Sequence, residues 1–213
     1  ASFIPVYAKL IAQNKHDEAA KVANAIAGIL SLLISTLVFI GIVITPFLIA
    51  VIAPGFEGQK RELTITLVRI LFPGAGVLVF SAWCLGILNS HGKFFLSYSA
   101  PVVWNVVIII TLILFGDSSS QDELAKYAAA GSVIGSLMQL LMQLPVVIGI
   151  LHHIKLSLTV KTNEVKTILK NFVPVFISRG VVQISAYIDA LLASLLPTGA
   201  LAGLSYAQTL YML

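Results

Sequence analysis

Five long apolar stretches dominate the hydrophobic pattern of this chain, and each carries a proline in its interior. They run over about Ala25–Ala53, Leu63–Leu88, Phe94–Phe115, Leu124–Leu151 and Ile168–Leu196. Their prolines are Pro46, Pro73, Pro101, Pro145 and Pro174. A helix needs about 20 residues to cross the hydrocarbon core of a bilayer. Each stretch is longer than that, so the pattern predicts five membrane-spanning helices.

The interior prolines favour a particular kind of membrane protein. A core helix of a soluble protein seldom tolerates one, because it removes a backbone hydrogen bond and clashes with the preceding turn. In a bilayer, neighbouring helices can satisfy the freed carbonyls, and bent helices recur in transporters. The pattern therefore predicts part of a transporter.

Composition agrees with the membrane class. Hydrophobic residues make up 58% of the chain and charged residues 10%, whereas a soluble domain has about 25% charged residues. The net charge of +4 does not indicate nucleic-acid binding, because the basic residues lie in the loops. The single cysteine, Cys84, is expected to be a small buried hydrophobe.

The basic residues of the loops predict how the chain is oriented in the membrane. Because consecutive spans alternate direction, the basic residues divide into eight on one side and three on the other. The larger set is Lys9, Lys15, Lys21, Lys93, Lys155, Lys161, Lys166 and Lys170, and the smaller is Lys60, Arg61 and Lys126. The positive-inside rule places the larger set in the cytoplasm. The turns Pro54–Glu62, Asp117–Glu123 and Pro197–Gly199 then face outside.

The connection Leu151–Lys170 alternates apolar residues with lysines. It is expected either to lie along the cytoplasmic membrane surface or to be a plain linker. His152 and His153 point in different directions and have no acidic or cysteine partner at ligand spacing, so no zinc site is predicted.

Polar residues inside the spans are the functional candidates. The fifth span has the densest set: Asn171, Ser178, Arg179, Gln183, Ser185, Tyr187 and Asp189. Arg179, Gln183 and Tyr187 recur every four residues and form one stripe. Arg179 either binds an anionic substrate group or extends to the interface. Asp189 either binds a cation or proton, or bonds a neighbouring helix.

The other spans carry fewer such residues. Arg69 is expected to extend to the outer interface. Asn105 is expected to cap a carbonyl freed by Pro101, and Gln139 and Gln143 stand before Pro145 in the same way. All three are interpreted mainly as polar contacts between helices. No span contains an acidic pair at helical spacing, and no Ser–His or Cys–His arrangement or phosphate-binding loop is found, so we predict that the protein is not an enzyme.

The motifs resemble, in order and over essentially the whole chain, those of the MurJ/MviN family. They are Ser2–Pro5, Ala53–Phe56, Arg69–Pro73, Gly86–Asn89 with Phe94, Ala100–Pro101 with Asn105, Gln143–Pro145, Gln183–Ile184 with Asp189, Ala193–Ser194 and Tyr206–Ala207. The resemblance implies a lipid II flippase of the bacterial cytoplasmic membrane, with fourteen helices in two lobes around a cavity, serving peptidoglycan synthesis.

On that mapping, the chain is an internal fragment of an all-α polytopic membrane protein, with five complete spans and partial spans at both ends. Residues 1–150 belong to the N-terminal lobe, 151–170 connect the lobes, and 171–213 begin the C-terminal lobe. The sixth apolar segment, from near Thr198, is cut by the chain end. Candidate cavity residues are Arg179, Gln183, Asn105 and Gln139, and Asp189 is the candidate cation contact.

The implied partners are lipid II, membrane lipids and cell-wall synthesis proteins, without nucleic acid. No cofactor is expected, and sodium, protons or membrane potential would drive the cycle. Many relatives carry an acidic–arginine pair where this chain has Gln208 and Thr209, so Arg179 is the candidate replacement charge. The alternatives are an exporter of another polyprenyl-linked saccharide or a cationic drug, a polyprenyl-phosphate transferase, and a non-transporting membrane scaffold.

Overall fold

The chain is all-helical throughout the part that the computed structural model describes, which is residues 2–117, 120–152, 157, 163–197 and 199–211. These residues form seven helices and no strand. The helices are α1 (Phe3–Ala12), α2 (His16–Ile52), α3 (Gly58–Ser90), α4 (Phe94–Phe115), α5 (Gln121–Leu151), α6 (Asn163–Ser194) and α7 (Ala200–Tyr211). This confirms the predicted fold class.

The helix ends follow local capping chemistry. Helix α5 begins at a capping box, in which the Ser120 hydroxyl accepts from the Glu123 backbone N–H while the Glu123 carboxylate accepts from the Ser120 N–H. Helix α2 starts upstream of the predicted span, where Asp17 and Glu18 occupy its first turn and interact favourably with the positive end of the helix dipole. The helices therefore extend beyond their apolar segments.

Each of the five interior prolines lies inside a helix that continues through it. Among the described residues, four helices are long and apolar enough to cross a membrane, namely α2, α3, α4 and α5. Helix α6 has 32 residues but is not one of these four, so the fifth span stays a prediction. The chain is a multi-pass membrane protein.

Helix α5 is the centre of the packing. It runs against α3 and α4, while α3 also packs against α2, and α6 contacts α2 and α1. A β-carbon at Gly131 or Gly135 would meet Thr111 or Trp104 of α4, so these two glycines allow α4 and α5 to pack closely. A β-carbon at Gly203 would meet nothing within 4 Å among the described residues.

The outward faces of the helices are apolar. Large side chains such as Phe39, Phe95 and Ile113 are 70%, 85% and 72% exposed. Exposed apolar side chains of this size suit contact with acyl chains, because lipid tails are as apolar as the side chains themselves.

Two hydrogen bonds near the helix ends join segments that the lysine count places on the same side of the membrane. At one end, the Tyr7 hydroxyl lies 3.0 Å from His91 Nε2, which links α1 to the turn after α3. At the other, Gln59 Nε2 donates to Asp122 Oδ2 over 2.7 Å, linking the starts of α3 and α5. These contacts support the division of the loops into two sets.

Helix α6 begins at Asn163, within the predicted connection. Residues 163–170 are already helical, because Val165 and Ile168 are buried in the main apolar core together with residues of α1, α2 and α3. The expectation that the rest of 151–170 follows the membrane surface concerns mainly residues outside the described part of the structure.

Candidate functional site

Helix α6 carries the predicted polar stripe and is exposed along much of its length. Gln183 and Tyr187, one turn apart, are both exposed. Val181, an apolar residue of the same helix, is 62% exposed as well, so exposure does not distinguish the polar stripe from the rest of the helix. Arg179 lies one turn before Gln183, and its side chain is outside the described part of the structure. Asp189 is half-buried.

Gln139 and Gln143 meet Ser81 in a polar junction between α5 and α3. The Gln139 amide donates from Nε2 to Ser81 Oγ over 2.7 Å, and the Ser81 hydroxyl donates to Gln143 Oε1 over 2.7 Å. All three side chains are buried, with exposures of 1% for Ser81, 6% for Gln139 and 0% for Gln143. The interpretation of the two glutamines as polar contacts between helices is confirmed. Gln139 is placed inside a packed interface instead of on the wall of an open cavity.

Asn105 makes no hydrogen bond to another helix among the described residues. It is exposed on α4, and its side-chain amide donates to the Pro101 carbonyl of the same helix over 3.1 Å. The carbonyl freed by a proline is that of the residue four positions earlier, which here is Ser97. The prediction that Asn105 caps the freed carbonyl is therefore wrong, because i to i−4 geometry on a helix takes the side chain to the proline's own carbonyl.

Arg69 binds a carbonyl that a proline has freed, which is the role predicted for Asn105 at a different proline. Its Nε donates to the carbonyl of Ile42 over 3.2 Å, and Ile42 is the residue four positions before Pro46. An η nitrogen of Arg61 donates to the Pro46 carbonyl over 3.3 Å. Two arginines of α3 thus bind the proline-containing turn of α2. Arg69 was expected to extend to the outer interface, but it bonds a neighbouring helix instead.

Arg69→Ala should destabilise the folded protein by about 1.5 to 3 kcal/mol, the range for a hydrogen bond to a charged group. The freed Ile42 carbonyl would have no donor in an apolar environment. Thermal unfolding of the full-length protein in detergent measures this. Lys126→Ala removes an exposed cation of α5 and is the matched control. Equal unfolding temperatures for Arg69→Ala and wild type would contradict the role.

An apolar cavity of about 220 Å³ lies between α1, α2, α3 and α6. Its walls include Phe3, Ile26, Leu30, Trp83 and Ile168. The Trp83 indole N–H has no hydrogen-bond partner among the described residues and is buried. Sequence reasoning missed this cavity, because its walls come from four separate segments of ordinary apolar residues.

The partial burial of His91 should make the stability of the protein depend on pH. Burial, with His16 and Lys93 nearby, lowers the pKa of His91 from its ordinary 6.5. As pH falls, the unfolded chain takes up this proton first. We therefore expect the lowered pKa of His91 to leave the free energy of unfolding unchanged above about pH 6.5. As pH falls from there towards the pKa of the folded state, the free energy of unfolding should decrease.

Unfolding temperatures of wild type and His91→Gln, measured from neutral to mildly acidic pH, test this expectation. The variant should lose part of the pH dependence, while Tyr7→Phe should keep the ring packing but lose the hydrogen bond. An unchanged pH profile in His91→Gln would show that another group is responsible.

The predicted cavity residues do not converge on one site. Asn105 is exposed on α4, Gln139 lies between α3 and α5, and Gln183 is exposed on α6. No group of three or more His, Cys, Asp or Glu side chains is placed to hold a metal ion within the described ranges. The arrangement offers a polar face and a packed helical frame, and it assembles no reactive group.

These features define a multi-pass helical membrane protein whose long helices each contain a proline. The family model described as lipid II flippase MurJ matches residues 1–213, and the chain belongs to this family.

Two curated relatives agree. A probable lipid II flippase MurJ of Rhizobium tropici is 32% identical over 222 residues, covering 100% of this chain and 40% of that protein. A lipid II flippase MurJ of Burkholderia cenocepacia is 29% identical over 216 residues, covering 98% of this chain and 41% of that protein. The chain thus spans about two fifths of the length of these relatives.

A solved structure shares the fold. The chain matches the structure titled lipid II flippase MurJ, inward closed conformation, with a TM-score of 0.78 and 22% sequence identity. The match covers 100% of this chain and 44% of that one. At this identity the likeness concerns the fold alone.

Proposed function

We propose that this chain is part of a transporter that flips lipid II from the inner to the outer leaflet of the bacterial cytoplasmic membrane. The observation that carries the proposal is the match of the lipid II flippase family model to all 213 residues. The proline inside each long helix supports it, because bent or broken helices are expected around a substrate path. The protein would act as a transporter and not as an enzyme.

Alternating access is the mechanism we propose. The diphosphate-sugar headgroup of lipid II enters a cytoplasm-facing cavity while its polyprenyl tail stays in the bilayer. The two lobes then rock and release the headgroup outside. Arg179 and Gln183 are our candidates for headgroup contact, since guanidinium groups bind phosphate oxygens in a bidentate manner.

Complementation tests the function. The full-length gene should restore growth of bacteria depleted of their own lipid II flippase. Failure to restore growth, with the protein detected in the membrane, would contradict the proposal and favour an exporter of another polyprenyl-linked saccharide. In the same assay, wild-type growth with Arg179→Ala would remove that arginine from the mechanism while leaving the function intact.

Asp189 is our candidate for cation coupling. It is half-buried, and no hydrogen bond or ion pair to it occurs among the described residues, so its carboxylate is available to a sodium ion or proton. Asp189→Asn should abolish the dependence of transport on sodium or on membrane potential, measured in proteoliposomes. Asp117→Asn, at an exposed turn, is the control. Unchanged dependence in Asp189→Asn would exclude the residue from coupling.

A further inference from the structure

Helix α6 has buried side chains only near its two ends, among the residues that the structure describes. Near its start, Val165 and Ile168 are 1% and 3% exposed and belong to the main apolar core. At its end, Ala193 and Ser194 are 8% and 3% exposed. None of the described side chains from 169 to 192 is buried. Two separate contacts therefore position this helix against the bundle.

The contact at the end of α6 is made with the turn between α2 and α3. A β-carbon at Gly55 would lie 2.7 Å from the carbonyl carbon of Ser194 and 3.1 Å from the α-carbon of Leu195, and closer still to the Ser194 carbonyl oxygen. Glycine has no β-carbon, so it allows this approach. Because the lysine count predicts these turns to be outside, we call this the outer contact, and the burial of Val165 and Ile168 the inner contact.

The two contacts differ in how much they hold. The inner contact buries two branched apolar side chains among residues of α1, α2 and α3, and a buried side chain of this size makes about 40 to 60 atomic contacts. The outer contact joins backbone atoms, and no hydrogen bond connects Gly55 to Ser194 in the described part of the chain. Pro174 lies between the two contacts and removes a backbone hydrogen bond there. The end of α6 can therefore separate from its neighbour more easily than its start.

We propose that the contact of Gly55 with Ser194 closes the outer side of the transporter and opens during each transport cycle. This inference rests on the proposed function, because alternating access requires an outer contact that separates and forms again. Opening moves the end of α6 away from the α2–α3 turn, while Val165 and Ile168 keep the start of α6 in the core. Gly55 is then a positioning residue, since its missing side chain determines how closely the two segments approach.

Labelling of the Ser194→Cys variant of the full-length protein tests this inference. It should react slowly with a membrane-impermeant thiol reagent added from outside, because the closed contact buries position 194. Adding Gly55→Ala should raise the labelling rate by about fivefold to a hundredfold, the shift in equilibrium that overpacking of a close contact produces. The protein with native Ser194 gives the background, to which Cys84, with 0% exposure, should contribute little.

Gly135→Ala is the matched control for Gly55→Ala. It overpacks the contact between α4 and α5 and leaves the α2–α3 turn unchanged. It should lower the unfolding temperature without raising the labelling rate of Ser194→Cys. An unchanged labelling rate in Gly55→Ala, or an equal rise in Gly135→Ala, would overturn the proposal, because the outer contact would then be fixed packing.

Growth of bacteria depleted of their own lipid II flippase separates this proposal from the proposed function. If the wild-type protein restores growth, Gly55→Trp should fail to do so while present in the membrane at the wild-type level, because the indole prevents the outer contact from closing. Full growth with Gly55→Trp would show that the cycle does not need this contact. If the wild-type protein does not restore growth, the proposed function fails, and the labelling rates still decide whether the contact opens.

Discussion

Gly135→Ala is expected to destabilise the folded protein by about 1 to 3 kcal/mol, the typical cost of overpacking a close interface. The added β-carbon would lie 2.7 Å from Trp104 Cδ1 and 2.9 Å from the Trp104 carbonyl oxygen. A backbone atom cannot rotate away, so α4 and α5 would have to separate. That movement would also strain the bond from Trp104 Nε1 to the Ser132 carbonyl, now 2.9 Å.

Thermal unfolding of the full-length protein in detergent checks this prediction. Gly149→Ala is the matched control, because it lies on the same helix and a β-carbon there meets nothing within 4 Å. Replacing glycine by alanine within a helix favours helix formation by about 1 kcal/mol, so Gly149→Ala should be neutral or stabilising. Equal behaviour of the two variants would mean that α4 and α5 are not in close contact at Gly135.

Ser81→Ala should cost about 2 to 5 kcal/mol, because it removes the shared partner of two buried amides and each unpaired group costs about 1 to 3 kcal/mol. Gln139 Nε2 would lose its acceptor and Gln143 Oε1 its donor. The bilayer offers no water from outside to replace them. The loss should appear as a lower unfolding temperature and as lower yield of folded protein.

Ser90→Ala provides the comparison for Ser81→Ala. The Ser90 hydroxyl donates only within its own helix, to the Gly86 carbonyl over 2.8 Å, so its removal should have little effect. Further substitution of both glutamines by methionine in the Ser81→Ala background should recover stability, since it removes the unpaired amides. A Ser81→Ala protein as stable as Ser90→Ala would refute the importance of the junction.

The arginine contact at Pro46 shows how a neighbouring helix can stabilise a span that contains a proline. The freed Ile42 carbonyl receives Arg69 from α3, as expected of membrane helices in which neighbours satisfy groups freed by proline. The spacing of Arg69 along its own helix contains no information about a partner 27 residues earlier. This pairing could not have been predicted from local sequence.

Some polar residues were interpreted correctly from the sequence and others were not. Gln139 and Gln143 share a face of α5, so periodicity predicted that they act together, and they do. Ser81 is a small residue in an apolar stretch and gave no signal, although it is the centre of the junction. Asn105 was assigned to a freed carbonyl by its distance from Pro101, whereas helix geometry directs its amide to the proline itself.

The sequence by itself determined the all-helical membrane class, the approximate positions of the spans and the family. Those properties follow from hydropathy, from the about 20 residues that a bilayer requires and from an ordered set of motifs, all of which are local along the chain. The tertiary structure alone decided which polar groups meet. It paired Ser81 with two glutamines and Arg69 with Ile42, and it left Gln183 and Tyr187 of α6 exposed. The physical reason is that hydrogen bonds between helices depend on their rotation and register, which arise only when the helices pack.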